Sequence, residues 1–177
     1  MIVRARYGLT VAALALALAA CSSPAKREAM TPQDLLAGKS HPYSLHVQAG
    51  GGSETGAMDT SNIADDDLKA AIEDAVIQSK LFKKIVQGKD GDYELSVQVS
   101  NLTKPLIGFS FTVEMEAAWS LVKLSDRSVV MRKSVKSSGT ASVGDALAAV
   151  TRLRMAVEAA ARENIRQGLT AVAGLAL

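Results

Sequence analysis

The chain has 177 residues, of which 48% are hydrophobic and 21% charged, and its formal net charge is +2. This composition excludes an intrinsically disordered chain, and the charge is far below that of a typical nucleic-acid-binding domain. A single cysteine excludes a fold built on disulfides. The length is that of one domain with a short extension.

The first twenty residues have the three parts of a secretory signal peptide. Arg4 and Arg6 form a positive n-region, and the run from Leu9 to Ala19 is almost entirely Leu, Ala and Val. Because this run has about half of the ~20 residues that a membrane-spanning helix needs, residues 1–20 are predicted to be a cleaved signal. Cleavage removes both arginines and brings the formal net charge of the mature chain to zero.

The sequence Leu18-Ala19-Ala20-Cys21 resembles the lipobox of bacterial lipoproteins. In that family the cysteine thiol is diacylated, the signal is cut before it, and the new amine also receives a fatty chain such as palmitate. The resemblance therefore implies that Cys21 is the lipidation site, which accounts for a lone cysteine in an exported protein. Ser22 stands where an aspartate marks inner-membrane retention in enterobacterial lipoproteins, so delivery to the outer membrane is implied. The alternative is an ordinary signal peptide with a cysteine at its cleavage site.

Residues 21–40 are predicted to form the lipidated N-terminus and a flexible tether. The segment is polar, contains Pro24 and Pro32, and has no sustained periodicity. Gly38-Lys39-Ser40 matches the end of a nucleotide-binding loop, but Gln33 occupies the position of the first glycine and no strand precedes it. A single periplasmic domain is then predicted over residues 41–177.

Strict alternation of apolar and polar residues predicts four strands. Their approximate ranges are 43–49, 93–99, 107–121 and 128–136. In the third strand Ile107 and Phe109 begin the apolar face, whereas Glu114 and Glu116 lie on the polar face. Lys133 falls on the apolar face of the fourth strand. Since an inward-pointing lysine protects an edge from pairing with another chain, we expect the fourth strand to be an edge strand.

Apolar residues at spacings of three and four predict two helices. The first follows Asp65-Asp66-Asp67 and continues to Phe82, with Lys83 and Lys84 at its end, a charge distribution that suits the helix dipole. The second begins with a capping-box-like start at 142–145, and its apolar stripe runs from Leu147. At 1.5 Å per residue, roughly thirty residues span about 45 Å, so we expect a kink or break near Gly168, or an overhang.

The resulting order, β-α-β-β-β-α, predicts an α+β fold: a two-layer sandwich of a four-stranded, mostly antiparallel sheet with both helices on one face. The helix between the first two strands permits a parallel crossover. Matching the apolar faces pairs Val99 near Phe109 and brings Lys136 opposite Glu114. The resulting polar face is either a solvated ladder of mixed charge or a surface that docks a partner.

Residues suited to chemistry are few. His41 falls in the tether and His46 on the polar face of the first strand, and neither has a second ligand at metal-like spacing. Asp65 to Asp67 are interpreted as a helix cap, and Gly50 to Gly56 as a crossover loop without the lysine of a phosphate cradle. No Gly-x-Ser-x-Gly elbow is present. We therefore predict no catalytic residue, no metal and no cofactor.

Four arginines lie along the second predicted helix: Arg152, Arg154, Arg162 and Arg166. Because Glu158 precedes Arg162 by four residues, solvated ion pairs along the helix are expected. Contact with a lipid headgroup or a glycan phosphate is the alternative.

A lipobox, a tether and a small β-α-β-β-β-α domain resemble several families of outer-membrane lipoproteins. They are the YajG-type lipoproteins, the lipopolysaccharide-assembly lipoprotein and the auxiliary lipoproteins of lipid ABC transporters. The matching segments are Leu18 to Cys21, Asp92 to Val97 and Ala156 to Leu169. The resemblance implies a non-enzymatic protein, lipid-anchored at the periplasmic face of the outer membrane, that binds a protein or lipid partner in envelope assembly or transport. Only Cys21 carries over as a functional residue, and no nucleic-acid partner is expected.

Two other functions remain open. A regulator of peptidoglycan synthesis would have to reach through the cell wall, for which a tether of about twenty residues is short. A hydrolase of envelope glycans would need paired carboxylates in a cleft, and Glu114 and Glu116 are the candidates. An apolar groove between the sheet and the helices would favour lipid binding. An exposed apolar patch would favour protein docking, and a pocket with convergent acids would favour catalysis.

Overall fold

The computed structural model describes residues 23–35, 39–56, 59–88 and 90–177, which contain three helices and five strands. The helices are α1 (Arg27–Met30), α2 (Asp65–Ser79) and α3 (Ala149–Ala173). The strands are β1 (His41–Gly50), β2 (Phe82–Ile85), β3 (Tyr93–Thr103), β4 (Phe111–Lys123) and β5 (Val129–Ala141). Among these residues, no helix combines the length and apolar content that crossing a membrane requires.

The strands form one mixed sheet in the order β2-β1-β3-β4-β5. β1 runs parallel to both of its neighbours, whereas β3, β4 and β5 are antiparallel. The predicted α+β class is confirmed, but the prediction of four mostly antiparallel strands is wrong. One end of the sheet is called the loop end below. It is the end at which β4 begins and at which β1, β3 and β5 end.

The additional strand, β2, falls where the sequence predicts the end of the first helix. α2 stops at Ser79, because Lys80 adopts a left-handed conformation with φ of 54°. The chain then turns, and Phe82 pairs with His41 at the start of β1. Four residues are too few for alternation to be told from continued helical spacing, so periodicity does not reveal this strand.

The register of the sheet differs from the predicted one. β4 begins at Phe111 and not at 107, and Val99 pairs with Ala117 instead of Phe109. On the polar face, Lys136 lies opposite Glu116 and not Glu114. The β3–β4 pairing is displaced by eight residues from the predicted one, and the β4–β5 pairing by two. A shift by an even number of residues leaves every side chain on its own face, so alternation alone cannot choose between these registers.

β5 occupies one edge of the sheet, as predicted for the fourth strand, and continues to Ala141. Lys133 pairs with Trp119 on the side that faces the helices, and it stays exposed because nothing in the sheet lies beyond it.

α2 and α3 pack on the same face of the sheet, as predicted, and share one hydrophobic core. α3 begins at Ala149 and not near Ser142, because Asp145 accepts hydrogen bonds from the backbone and hydroxyl of Ser142 and closes a separate turn. The helix continues through Gly168 without the predicted break. A Cβ at Gly168 would lie 2.3 Å from the ring of Trp119, so the glycine lets the helix rest directly on the indole.

Part of the predicted tether packs on the domain. Met30 is fully buried, and the guanidinium of Arg27 in α1 pairs with Asp74 of α2. On the other side, Arg162 of α3 donates to the backbone oxygen of Ala29 at 2.8 Å. A flexible tether therefore does not describe residues 23–35, because a few apolar side chains in a polar segment are enough to anchor it in the groove between α2 and α3.

Candidate binding surfaces

Cys21, the predicted lipidation site, lies outside the described residues. Ser23, the first described residue, is held at the loop end of the sheet: its backbone oxygen accepts from Ser61 Oγ at 2.7 Å, and its hydroxyl accepts from Arg154 Nη1 at 2.6 Å. Lys104, directly after β3, donates to the backbone oxygen of Ser61 at 3.1 Å. Two residues of chain span at most about 7 Å, so the anchor position is within that distance of Ser23.

The sheet face opposite the helices is polar and carries the two candidate acids. Glu116 accepts from Ser134 Oγ at 2.6 Å and lies 3.6 Å from Lys136 Nζ. The hydrogen bond from Ser134, followed by the charge of Lys136, lowers the pKa of Glu116. Glu114 is exposed on the same face. A glycosidase acid needs a raised pKa, so Glu116 has the wrong electrostatics for that role.

A groove of about 880 Å³ adjoins this face along the β5 edge. Its wall on α3 includes Glu163, which accepts from Arg166 Nε at 2.8 Å and from Gln167 Nε2 at 2.7 Å. These bonds, Arg166 first, lower the pKa of Glu163. Glu116 and Lys136 form part of the opposite wall. The groove is thus polar, with charges already paired inside the protein, and it suits recognition of a polar surface better than proton transfer.

The two histidines have structural surroundings. His41 begins β1, is buried, and shares a hydrogen bond of 3.2 Å with the backbone oxygen of Val172. His46 contacts the backbone oxygen of Val86 at the same distance. In the part of the chain that the structure describes, no three His, Cys, Asp or Glu residues are grouped to hold a metal. Asp65 accepts from the backbone N–H of Gly52 at 2.8 Å, and so it fastens the glycine-rich loop to α2.

Five large apolar side chains project from two loops at the loop end, and we call them the apolar tip. Their exposed fractions are 90% for Leu106, 91% for Ile107, 86% for Phe109, 41% for Val143 and 88% for Leu147. The sequence places Ile107 and Phe109 on the buried face of a strand and Leu147 in a helical stripe, so their exposure corrects those predictions. Pro105 and Gly108 are the available signal, since both interrupt the alternating pattern.

Arg152 of α3 holds the two loops of the apolar tip together. Its side chain is 6% exposed, and Nη1 donates to the backbone oxygens of Ala146 at 3.0 Å and Leu147 at 2.7 Å. Nη2 reaches the backbone oxygen of Gly108 at 3.5 Å, and the guanidinium lies 5.4 Å from the ring centre of Phe111. Arg152 is therefore a buried residue that links the two loops through hydrogen bonds, and it is not one of the predicted solvated helix charges.

Comparison with known proteins gives the fold and no closer relationship. No protein-family model and no curated protein matches the chain. XCC0632 of Xanthomonas campestris, a DUF330 protein, has a TM-score of 0.58 at 14% identity, over 86% of this chain and 94% of its own. The hypothetical protein CT253 of Chlamydia trachomatis has a TM-score of 0.59 at 7% identity, over 76% of this chain and 97% of its own.

A protein of Caulobacter crescentus, described as a candidate lipoprotein, has a TM-score of 0.50 at 19% identity. The match covers 73% of this chain and 87% of that protein. Identities this low show the fold alone. The chain therefore shares its fold with these three bacterial proteins.

Proposed function

We propose that the protein is a non-enzymatic lipoprotein, held at the periplasmic face of the outer membrane by an acylated Cys21, which binds a protein or lipid partner in envelope assembly or transport. The observation that carries the proposal is the polar face of the sheet, exposed along β4 and β5, with its adjoining groove. Both long helices pack on the other face, and Thr112, Glu114 and Ser134 are exposed here, so a partner can meet this surface over these two strands.

The electrostatics of this surface favour binding over catalysis. Glu116 and Glu163 each accept hydrogen bonds that lower their pKa values and keep them ionised near neutral pH. Ionised side chains held in fixed positions can meet complementary charges of a partner, which supplies orientation and specificity at an interface. A general acid would instead need a carboxyl group kept protonated by its surroundings.

The packing of the N-terminal segment supports a position close to the membrane. Residues 23–35 lie against α2 and α3, so little free chain separates Ser23 from Cys21. The Caulobacter protein of the same fold, described as a candidate lipoprotein, agrees with an anchored role. A short connection disfavours the alternative regulator that reaches through the cell wall to peptidoglycan synthesis.

Photocrosslinking in living cells tests the proposed surface. A photoreactive residue replaces Ser96, Thr112 or Ser134 on the polar face, and Gln78, exposed on α2, is the control position. We expect a specific adduct from the polar face and none from position 78. If none of the three positions yields a specific adduct, this face is not the docking surface.

The anchor is tested separately by mass spectrometry of the purified protein and by fractionation of a Cys21→Ser variant. We expect a chain that begins at an acylated Cys21 and partitions with the outer membrane, and a variant that leaves the membrane fraction. An unmodified thiol or a retained leader would contradict the lipoprotein assignment.

A further inference from the structure

We infer that the apolar tip is a second membrane contact, which inserts into the leaflet that holds the fatty chains of Cys21. The inference goes beyond the proposed function and rests on the lipid anchor of that proposal. Three features of the described residues support it: the chemistry of the two loops, their distance from the anchor, and their internal bracing.

The exposed side chains of the two loops are mostly apolar and carry little charge. Leu106, Ile107, Phe109 and Leu147 are each 86% exposed or more, values that require the side chains to protrude into solvent and not to line a groove. Large apolar side chains on protruding segments can enter the acyl region of a leaflet, where they leave water without requiring a complementary protein surface.

The charges nearest these side chains are hydrogen-bonded within the protein, and Arg152, which lies between the two loops, is buried. Lys104 donates to the backbone oxygen of Ser61 and the side chain of Asn62, and Asp145 accepts from Ser142. Between 104 and 110, and between 142 and 148, the sequence has no other charged residue. The two loops thus present one exposed charge, the carboxylate of Asp145, beside their apolar side chains.

The anchor position and the apolar tip lie at the same end of the molecule. Ser23 accepts from Ser61, and Ser61 in turn accepts from Lys104, the residue that opens the first loop of the tip. Because Cys21 is within about 7 Å of Ser23, its fatty chains enter the membrane beside this loop. A leaflet is thus the apolar phase that the anchor itself brings to the tip, whereas a protein partner would have to come between them.

The bracing by Arg152 prepares the two loops for a shared surface. One buried guanidinium binds backbone oxygens in both loops, so the loops are held in position before they meet the membrane. Loops ordered in advance lose less conformational entropy on insertion.

Insertion would set the orientation of the whole domain. A single acylated residue lets the domain rotate about the short segment that joins it to the lipid. A second contact at the loop end would orient the domain so that this end of the sheet faces the membrane. The polar face and its groove then open sideways into the periplasm, where a partner has access to them.

Tryptophan fluorescence in vesicles tests this contact. The only tryptophan, Trp119, is 1% exposed and supplies a constant background. The lipoprotein carrying Phe109→Trp is reconstituted into phosphatidylethanolamine and phosphatidylglycerol vesicles whose acyl chains are brominated. The matched control is Ile77→Trp, another exposed apolar residue (60%), near the end of α2 that lies away from the loop end.

We expect a blue shift and several-fold stronger quenching for Phe109→Trp than for Ile77→Trp. Equal or absent quenching in an acylated, vesicle-bound protein would overturn the membrane contact and leave the anchor intact. A protein adduct at position 109 in cells, without quenching in vesicles, would assign the tip to a protein partner and would also overturn the inference.

The same preparation separates the two proposals when acylation is absent. If the mass shows an unmodified Cys21, the lipoprotein assignment fails, and flotation of that chain with vesicles then decides on the tip alone. Flotation with quenching of Phe109→Trp would retain the membrane contact, whereas failure to float would reject it.

Discussion

Trp119 shows how a large residue with one polar atom is accommodated in the interior. Its Nε1 donates to Asn164 Oδ1 at 2.9 Å, and Asn164 Nδ2 donates to the backbone oxygen of Val135 at 2.9 Å. Ser137 continues the network by donating to the backbone oxygen of Ala160 at 2.8 Å. Every hydrogen bond here joins the sheet to α3, so the network sets the position of the helix as well as satisfying buried polar groups.

Gly168 gives the sharpest prediction for a single residue. An added Cβ would stand 2.3 Å from the Trp119 ring, whereas at Gly174 the nearest atom is 3.6 Å away. Overpacking costs typically 1–3 kcal/mol, against a gain of about 1 kcal/mol from the better helix propensity of alanine.

We therefore expect Gly168→Ala to lower the free energy of unfolding measured with urea, and Gly174→Ala to leave it nearly unchanged. Equal stability of the two variants would mean that α3 does not rest on the indole as the structure has it.

At the scale of elements, β5 presents thirteen residues at an open edge of the sheet. Such an edge offers unpaired backbone groups to another chain, and charged side chains are a common protection. Lys133 lies on the side that faces the helices, between the apolar segment of Val129 to Met131 and Val135. The charge of Lys133 therefore interrupts an apolar edge that could otherwise pair with another chain.

Lys133→Val is expected to make the detergent-solubilised protein self-associate, because the edge then carries a longer apolar run. Sedimentation velocity at increasing protein concentration measures this change. Lys123→Val, the same substitution on the interior strand β4, is the control and should sediment like the wild type. A monodisperse Lys133→Val variant would show that this lysine does not protect the edge.

At the scale of the whole molecule, the N-terminal segment is joined to α3 through a buried carboxylate. Glu158 is 6% exposed, and its Oε1 accepts from the backbone N–H of Lys26 at 3.0 Å. Arg154 Nε lies 3.4 Å from the same oxygen. Burial nevertheless dominates these favourable contacts and raises the pKa of Glu158 above its ordinary 4.5.

The sign of the resulting pH dependence follows from linkage. A carboxyl group with a raised pKa binds its proton more tightly in the folded state, so its contribution to stability falls as the pH rises above 4.5. In Glu163 the hydrogen bond from Arg166 lowers the pKa, and its contribution is instead lost as the pH falls below 4.5.

Thermal unfolding across pH therefore distinguishes two glutamine variants. The Tm of Glu158→Gln relative to the wild type should rise between about pH 4.5 and 7, because the amide removes a buried charge. The relative Tm of Glu163→Gln should fall as the pH rises through the region below 4.5. Parallel profiles for both variants would contradict the assigned pKa shifts.

Local patterns predicted the elements whose signal is long and regular. The alternation of Tyr93 to Val99 lies within β3, and the spacing of Leu68, Ile72 and Ala75 lies within α2. The α+β class, the placement of both helices on one face and the edge position of β5 follow from such patterns and are confirmed. Lipidation of Cys21, the outer-membrane location and the absence of catalysis stay predictions.

The candidate surfaces were less accessible to sequence reasoning. Ile107 and Phe109 continue the alternating sequence pattern of β4, yet they lie in the loop before that strand and are exposed. Arg152 has the spacing of a solvated helix residue but is buried between two loops. In each case the outcome depends on neighbours distant in sequence, which no local period contains.

Sequence alone carried the patterns that predict an export signal and a lipobox ending in Cys21, and the alternation that gives the sheet one apolar and one polar face, because these features reside in adjacent residues. Only the tertiary structure decided the register, the fifth strand, the packing of residues 23–35 and the gathering of Ser23 with the apolar tip at one end. Those choices follow from the packing of side chains distant along the chain: a register shift of two residues preserves every local pattern and changes every contact.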